Sequence, residues 1–191
     1  MGLKKNLLIV DKNDGNRKIL RKMLYNTYNI LEADNSCDAI NMLDNETEKI
    51  ACIILDLVTP EENDFNFLET VSESKRFSNI PVLVATLDNE SESEKRCFEL
   101  GAWDVIHKPF NPEIVKLRLK NIIGRSEINA LERIKYVAEH DQLTGLYNRN
   151  KFFECTRKLI DEHEGTLFAF IHCDIGRFRL VNSYFGKEEG D

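Results

Sequence analysis

The chain has 191 residues, 42% apolar and 31% charged, with a net charge of −7. That composition excludes long disorder and fits a globular chain of one or two domains. The acidic balance excludes a general nucleic-acid binder, which would carry a basic excess. Five cysteines at 37, 52, 97, 155 and 173 form no CxxC pair and join no histidine at a zinc spacing, so they read as reduced thiols. The Lys4-Lys5 pair precedes an apolar run, Leu7 to Val10, too short for a signal peptide. No window approaches the ~20 apolar residues that span a bilayer. The expectation is a cytoplasmic protein with no membrane contact.

In chain order, Leu7-Leu8-Ile9-Val10 is a short apolar run that predicts a strand buried on both faces. Asp14 to Tyr25 places apolar residues at 19, 20, 23 and 24, which is helical spacing. Tyr28 to Leu31 predicts a second strand, and Ser36 to Leu43 a helix with Ala39, Ile40 and Leu43 on one face. Ala51 to Leu57 is the strongest strand, apolar but for Asp56. Phe65, Leu68 and Val71 give the next helix. Pro81 to Thr86 is a fourth strand, its proline at the first position where no ladder bond is lost. Glu90 to Leu100 is a helix closed by Gly101, and Trp103 to Ile106 a fifth strand. Asn111-Pro112-Glu113 is a helix start: cap, proline at the first position, acid in the first turn.

Five βα units in roughly 120 residues imply a doubly wound five-stranded parallel sheet with helices on both faces. In such sheets function gathers beyond the carboxyl ends of the strands. There the sequence sets Asp11 after the first strand, Asp56 in the third, Thr86 ending the fourth and Lys108-Pro109 after the fifth. The first and third strands are expected to be neighbours, so Asp11 and Asp56 should converge. Paired carboxylates attract a hard divalent cation, Mg²⁺ by default, and a lysine and a hydroxyl beside them can hold phosphoryl oxygens. The chemistry favoured is attack by the Asp56 carboxylate on a phosphoryl donor. The plainer reading is that Asp56 caps a strand.

The helix from Glu113 is expected to reach about Ile123, with Gly124-Arg125-Ser126 loosening it. A second helical stretch then carries Ile128, Leu131, Ile134 and Ala138. It reads equally as half of a two-stranded coiled coil or as a helix packing on its own domain. Beyond His140, Asn148-Arg149-Asn150 opens a helix over 151–161, and 166–173 predicts a strand. The expected layout is a domain at 1–124, a helical linker at 125–139 and a smaller α/β output segment at 140–191.

Leu7 to Asp11, Ile53-Ile54-Leu55-Asp56 with Pro60, Thr86, and Gly101-Ala102 followed by Lys108-Pro109-Phe110 stand in an order and spacing that resemble the receiver domain of two-component response regulators, a flavodoxin-like fold. The resemblance implies that Asp56 is the phosphoacceptor. It implies that Asp11, Asp56 and the Val58 carbonyl hold Mg²⁺, that Thr86 is the switch hydroxyl and that Lys108 contacts phosphate. The implied partner is a sensor histidine kinase. Three positions depart from the family pattern: Lys12 replaces a second acid that normally ligates the metal, Val105 replaces a switch aromatic, and Asp64 replaces a glycine. Lys12 could place an ammonium beside Asp56 in partial substitution for the cation, and Asp14 is a weaker substitute ligand.

His140-Asp141-Gln142-Leu143-Thr144-Gly145-Leu146-Tyr147-Asn148-Arg149 resembles the opening of GGDEF domains, the diguanylate cyclase family. A second block runs from Cys173-Asp174-Ile175 to Asn182, with Gly190-Asp191 beyond. The resemblance implies Mg²⁺ binding by Asp174 and the Ile175 carbonyl, and guanine recognition by Asn182 and Asp191; the alternative for Asn182 is a helix cap. The GGDEF signature itself is not within the 191 residues, so GTP binding and cyclic di-GMP synthesis are expected of an intact parent only. Gly176 and Ser183 replace common aspartates, a looser pattern also seen where a GGDEF domain precedes an EAL phosphodiesterase domain. The competing expectation is a receiver that phosphorylates poorly or not at all and serves as an interaction or dimerisation module; a homodimer is expected on either reading.

Overall fold

The computed structural model describes residues 4–45, 49–57, 62–87, 91–173 and 176–186. The chain divides into two compact units, Met1–Ala130 and Leu131–Asp191.

The first unit alternates strand and helix: β1 (Asn6–Val10), α1 (Asp14–Leu24), β2 (Asn29–Ala33), α2 (Ser36–Asp44), β3 (Ile50–Leu57), α3 (Glu62–Glu73), β4 (Val82–Thr86), α4 (Ser91–Glu99), β5 (Asp104–His107) and the start of α5 (Pro112–Glu139). All strand pairs are parallel, in the order β2-β1-β3-β4-β5. This is the doubly wound, flavodoxin-like sheet expected from the alternation of periods.

The side-chain period of 2 sorts the strand residues onto two faces. Leu8, Val10, Ile53, Leu55 and Val84 face α2, α3 and α4 through Ala39, Leu43, Phe65, Leu68, Val71 and Cys97. Leu7, Ile9, Cys52, Ile54, Leu83, Ala85 and Ile106 face α1 and α5 through Leu20, Leu24, Val115, Leu119, Ile122 and Ile123. A sheet covered on both faces needs runs such as Ile53-Ile54-Leu55 rather than alternation, which is why they read so clearly.

Asparagine caps open α1, α2 and α5. Asn13 Oδ1 accepts from the Gly15 and Asn16 amides, Asn35 Oδ1 from Asp38, and Asn111 Oδ1 from Glu113 and Ile114. Gly101 adopts φ +100, and a Cβ there would lie 2.5 Å from Ser72 Cβ, so both the backbone and the space demand glycine.

Two expectations are corrected here. The helix from Pro112 does not loosen at Gly124: α5 continues to Glu139 as one element of 28 residues, about 42 Å long. Gly124 lowers helix propensity, but Leu119, Ile122 and Ile123 on the turn before it are buried in the core, and such packing overrides propensity, which is only a weak prior. The predicted strand over 166–173 does not form; the segment has no strand pairing among the described residues, and Leu167 and Ile171 are exposed. A strand is defined by its ladder partner, which periodicity cannot supply.

The second unit contains the last turns of α5, α6 (Arg149–Glu162) and α7 (Phe178–Phe185). The turn at 140–148 is tied throughout. Asp141 Oδ1 accepts from the Thr144 amide and hydroxyl, each at 2.9 Å, and Gly145 takes φ +69. Asn148 caps α6 through the Lys151 amide and donates from Nδ2 to the Ala138 carbonyl. His140 stacks on Tyr136 with ring centroids 4.0 Å apart.

Candidate functional site

The carboxyl ends of β1, β3, β4 and β5 assemble the site. Register fixes the geometry: Val10 pairs with Leu55, so Asp11 follows beside Asp56, and Leu57 pairs with Thr86. This is where a 2-1-3-4-5 sheet reverses its winding and leaves a crevice. Asp11 is 3% exposed, Asp56 6% and Thr86 7%, the three buried polar residues among those described.

Lys108 brings the counter-charge. Its backbone N–H donates to the Thr86 carbonyl at 2.9 Å, tying the end of β5 to β4. Its ammonium lies 2.5 Å from Asp56 Oδ1 and 3.9 Å from Asp11 Oδ2, and 5.8 Å from the Phe110 ring centroid. Burial is the main force pushing the Asp56 carboxyl up, to about 6; Lys108 opposes the rise and the Asp11 carboxylate adds to it. A carboxyl so tuned is ionised at neutral pH but poorly solvated, which suits a nucleophile.

Asp11 is held at both ends. Its Oδ1 accepts from the Asn13 amide at 2.7 Å, and its carbonyl accepts from Arg17 Nη1 at 2.6 Å. Asp11 Oδ2 and Asp56 Oδ2 accept no hydrogen bond among the described residues. Buried carboxylate oxygens without donors are costly unless a cation or phosphoryl-binding group completes them, so the pair fits a hard divalent ion. The crevice above them is lined by Val10, Asp11, Lys12, Asp34, Asn35, Ser36, Leu55 and Asp56.

The structure thus brings Asp11, Asp56 and Lys108 together, with Thr86 beside them at the end of β4. Lys12 is exposed at the mouth and forms no ion pair with Asp56; Lys108 takes that place. Asp14 is the first residue of α1 and pairs with Arg17 and Lys18, away from the crevice. Val105 is buried in the core, with no ring to swing. Asn182 lies inside α7 and not at its N-terminus, so it does not cap the helix, and its buried Oδ1 has no donor among the described residues. Val58, Asp174, Ile175 and Asp191 lie outside the described residues, as does the side chain of Asp64.

Sequence reasoning missed Arg17 and Asp34. Arg17 carried a signal, since a basic residue one helical turn in can reach back to the preceding strand end. Asp34 carried another: it follows β2, the strand beside β1.

A model of the response regulator receiver domain matches residues 7–120, and one of the diguanylate cyclase GGDEF domain matches 138–191. The transcriptional regulatory protein SrrA of Staphylococcus aureus is 33% identical over 129 residues, covering 66% of this chain and 51% of that protein. The chain therefore spans about half the length of the curated relatives it matches. A CheY-like response regulator receiver domain protein from Methanospirillum hungatei JF-1 superposes with TM-score 0.59 at 20% identity, covering 66% of this chain and 99% of that one. The receiver domain of the sensor histidine kinase PA1611 from Pseudomonas aeruginosa PAO1, solved with magnesium coordinated in its active-site cleft, superposes with TM-score 0.57 at 18% identity, covering 64% and 99%. No helix among the described residues is long and apolar enough to cross a membrane.

Proposed function

Since this chain belongs to the response regulator receiver family, we propose that Asp56 accepts a phosphoryl group from a sensor histidine kinase and that the resulting state governs the GGDEF segment. The single observation that carries this reading is the buried Asp56 carboxylate, 2.5 Å from Lys108 and beside Asp11 at the carboxyl edge of the sheet.

In the step, an Asp56 oxygen forms the new O–P bond while the bond from phosphorus to the donor breaks. The donor, imidazole or acyl oxygen, leaves with the electron pair. Lys108 is placed to follow the negative charge onto the phosphoryl oxygens, and the Thr86 hydroxyl to donate to one of them. Asp11, Asp56 and the Val58 carbonyl would hold Mg²⁺, which, when bound, neutralises phosphoryl charge. Asn13 and Arg17 fix Asp11 for that role.

On this reading the layout is a receiver at 1–124, a linker at 125–139 and a GGDEF segment at 140–191. The longer protein would use GTP through Asp174, the Ile175 carbonyl, Asn182 and Asp191 to make cyclic di-GMP, or carry the segment in a degenerate form before a phosphodiesterase domain. The continuity of α5 supports it as the carrier of the signal, and its exposed Ile128, Leu131 and Ile134 support a homodimer through that helix.

A second reading is a weakly phosphorylated interaction module, favoured by Lys12 at the crevice mouth and by Val105 where an aromatic switch would move. Incubation with acetyl phosphate and Mg²⁺, followed by intact-mass measurement, separates them. The first reading predicts one added phosphoryl group in the wild type and none in Asp56→Asn. An unchanged wild-type mass leaves the second.

A further inference from the structure

We propose that Asp34 supplies a third carboxylate to the cation site, acting through a metal-bound water. The proposal rests on the reading that Asp11 and Asp56 hold the divalent ion.

The first observation is register. Val10 pairs with Ala33 of β2 on one side and with Leu55 of β3 on the other, and the Asp11 amide donates to the Ala33 carbonyl at 3.2 Å. The residues that follow, Asp34, Asp11 and Asp56, therefore stand in a row across three neighbouring strand ends. With strands about 4.8 Å apart, Asp34 is one strand spacing from Asp11 and two from Asp56. All three line one crevice.

The second observation is independent of that row. Asp11 and Asp56, which both line the crevice, are each more than nine-tenths buried, and their Oδ2 atoms have no hydrogen-bond donor among the described residues, the Lys108 ammonium standing off at 3.9 Å from that of Asp11. Such atoms call for a ligand with positive charge.

The third is charge balance. Lys108 and Lys12 bring two positive charges to the crevice, which cancel Asp11 and Asp56, while the Arg17 guanidinium behind Asp11 is matched by Asp14 and Glu32. A neutral crevice has little attraction for a divalent ion; Asp34 makes it net negative. Asp34 is also positioned: its Oδ1 accepts from Asn35 Nδ2 at 2.6 Å, and Asn35 is fixed as the cap of α2.

No three acidic, histidine or cysteine side chains among the described residues converge closely enough to share one ion directly. Asp34 is exposed at the rim, so its contact runs through water. This suits Mg²⁺ and Mn²⁺, which keep several waters when protein-bound.

The test is Mn²⁺ binding to the whole 191-residue chain, read by the loss of the free-ion paramagnetic resonance signal and so independent of phosphorylation. A unit charge one water away from a divalent ion in a solvent-exposed crevice alters affinity by about five- to tenfold. Asp34→Asn is expected to weaken Mn²⁺ binding by that factor, with circular dichroism unchanged. Asp34→Glu is expected to restore binding to within about twofold, since the longer carboxylate still reaches a bound water. Glu99→Gln, an equal charge change on α4, is expected to leave it unchanged. Wild-type affinity in Asp34→Asn, or an equal loss in Glu99→Gln, overturns the proposal while Asp11→Asn still abolishes binding and preserves the cation site. If the wild type takes up no Mn²⁺ and Asp11→Asn changes nothing, the cation reading itself fails, and the proposal with it.

Discussion

Replacing Asp56 by asparagine should stabilise the fold. Burial raises the Asp56 carboxyl from 3.8 to about 6, which corresponds to about 3 kcal/mol held against the ionised native state. The crevice is open to water and Lys108 loses its nearest partner on substitution, so the net gain in Asp56→Asn should be about 1–2 kcal/mol at pH 7.5. The sign with pH follows from the raised value. Protonation of Asp56 contributes stability that is fully present below the unfolded-state value near 3.8 and is lost as pH rises through about 6. The variant and the wild type should therefore have similar stability near pH 4, and the gap should open between pH 4 and 7. Denaturant unfolding without divalent ions, followed by the fluorescence of Trp103, reports the receiver unit specifically, because Trp103 is the chain's one tryptophan and packs on the α1–α5 core. A variant less stable than the wild type at pH 7.5, or a gap that does not change with pH, would refute the assignment of a strained carboxylate.

Three further outcomes are expected. The rate of phosphorylation by acetyl phosphate in Mg²⁺ should fall as the medium is acidified and the Asp56 carboxylate protonates, with the fall moved to lower pH by the bound cation; a rate that does not change with pH down to about 4 would contradict this. Gly101→Ala should cost about 1–3 kcal/mol in thermal or denaturant unfolding, because φ +100 and Ser72 both oppose a Cβ. Asn148→Ala should cost about 1 kcal/mol in the second unit, since it removes the α6 cap and the bond to the Ala138 carbonyl; hydrogen exchange at the Lys151 amide should accelerate by roughly five- to tenfold.

The receiver's fold was legible because each strand is buried on both faces and each helix has a distinct apolar stripe. Leu7 to Val10 and Ile53 to Leu55 could hardly be anything but central parallel strands, and neighbouring strands then bring Asp11 to Asp56. Lys108 was legible by resemblance; its 2.5 Å contact with Asp56 was not, because side-chain reach across strands leaves no trace in spacing. Lys12 is adjacent to Asp11 in sequence, yet it extends to the crevice mouth instead of to Asp56. Asp34 was hidden for the opposite reason, being 23 and 22 positions from Asp11 and Asp56 and joined to them by register alone. Residues 166–173 show the limit most plainly. An apolar run signals a strand, but a strand needs an edge to pair with, and nothing in the run names its partner.

Locating the phosphoryl group decides whether Asp56 accepts it. After incubation with acetyl phosphate and Mg²⁺, borohydride reduction converts an aspartyl phosphate to homoserine, which peptide sequencing by mass spectrometry places at one residue. Homoserine is expected at position 56. Conversion at another aspartate, or at none while a known receiver in the same reaction is labelled, would contradict it.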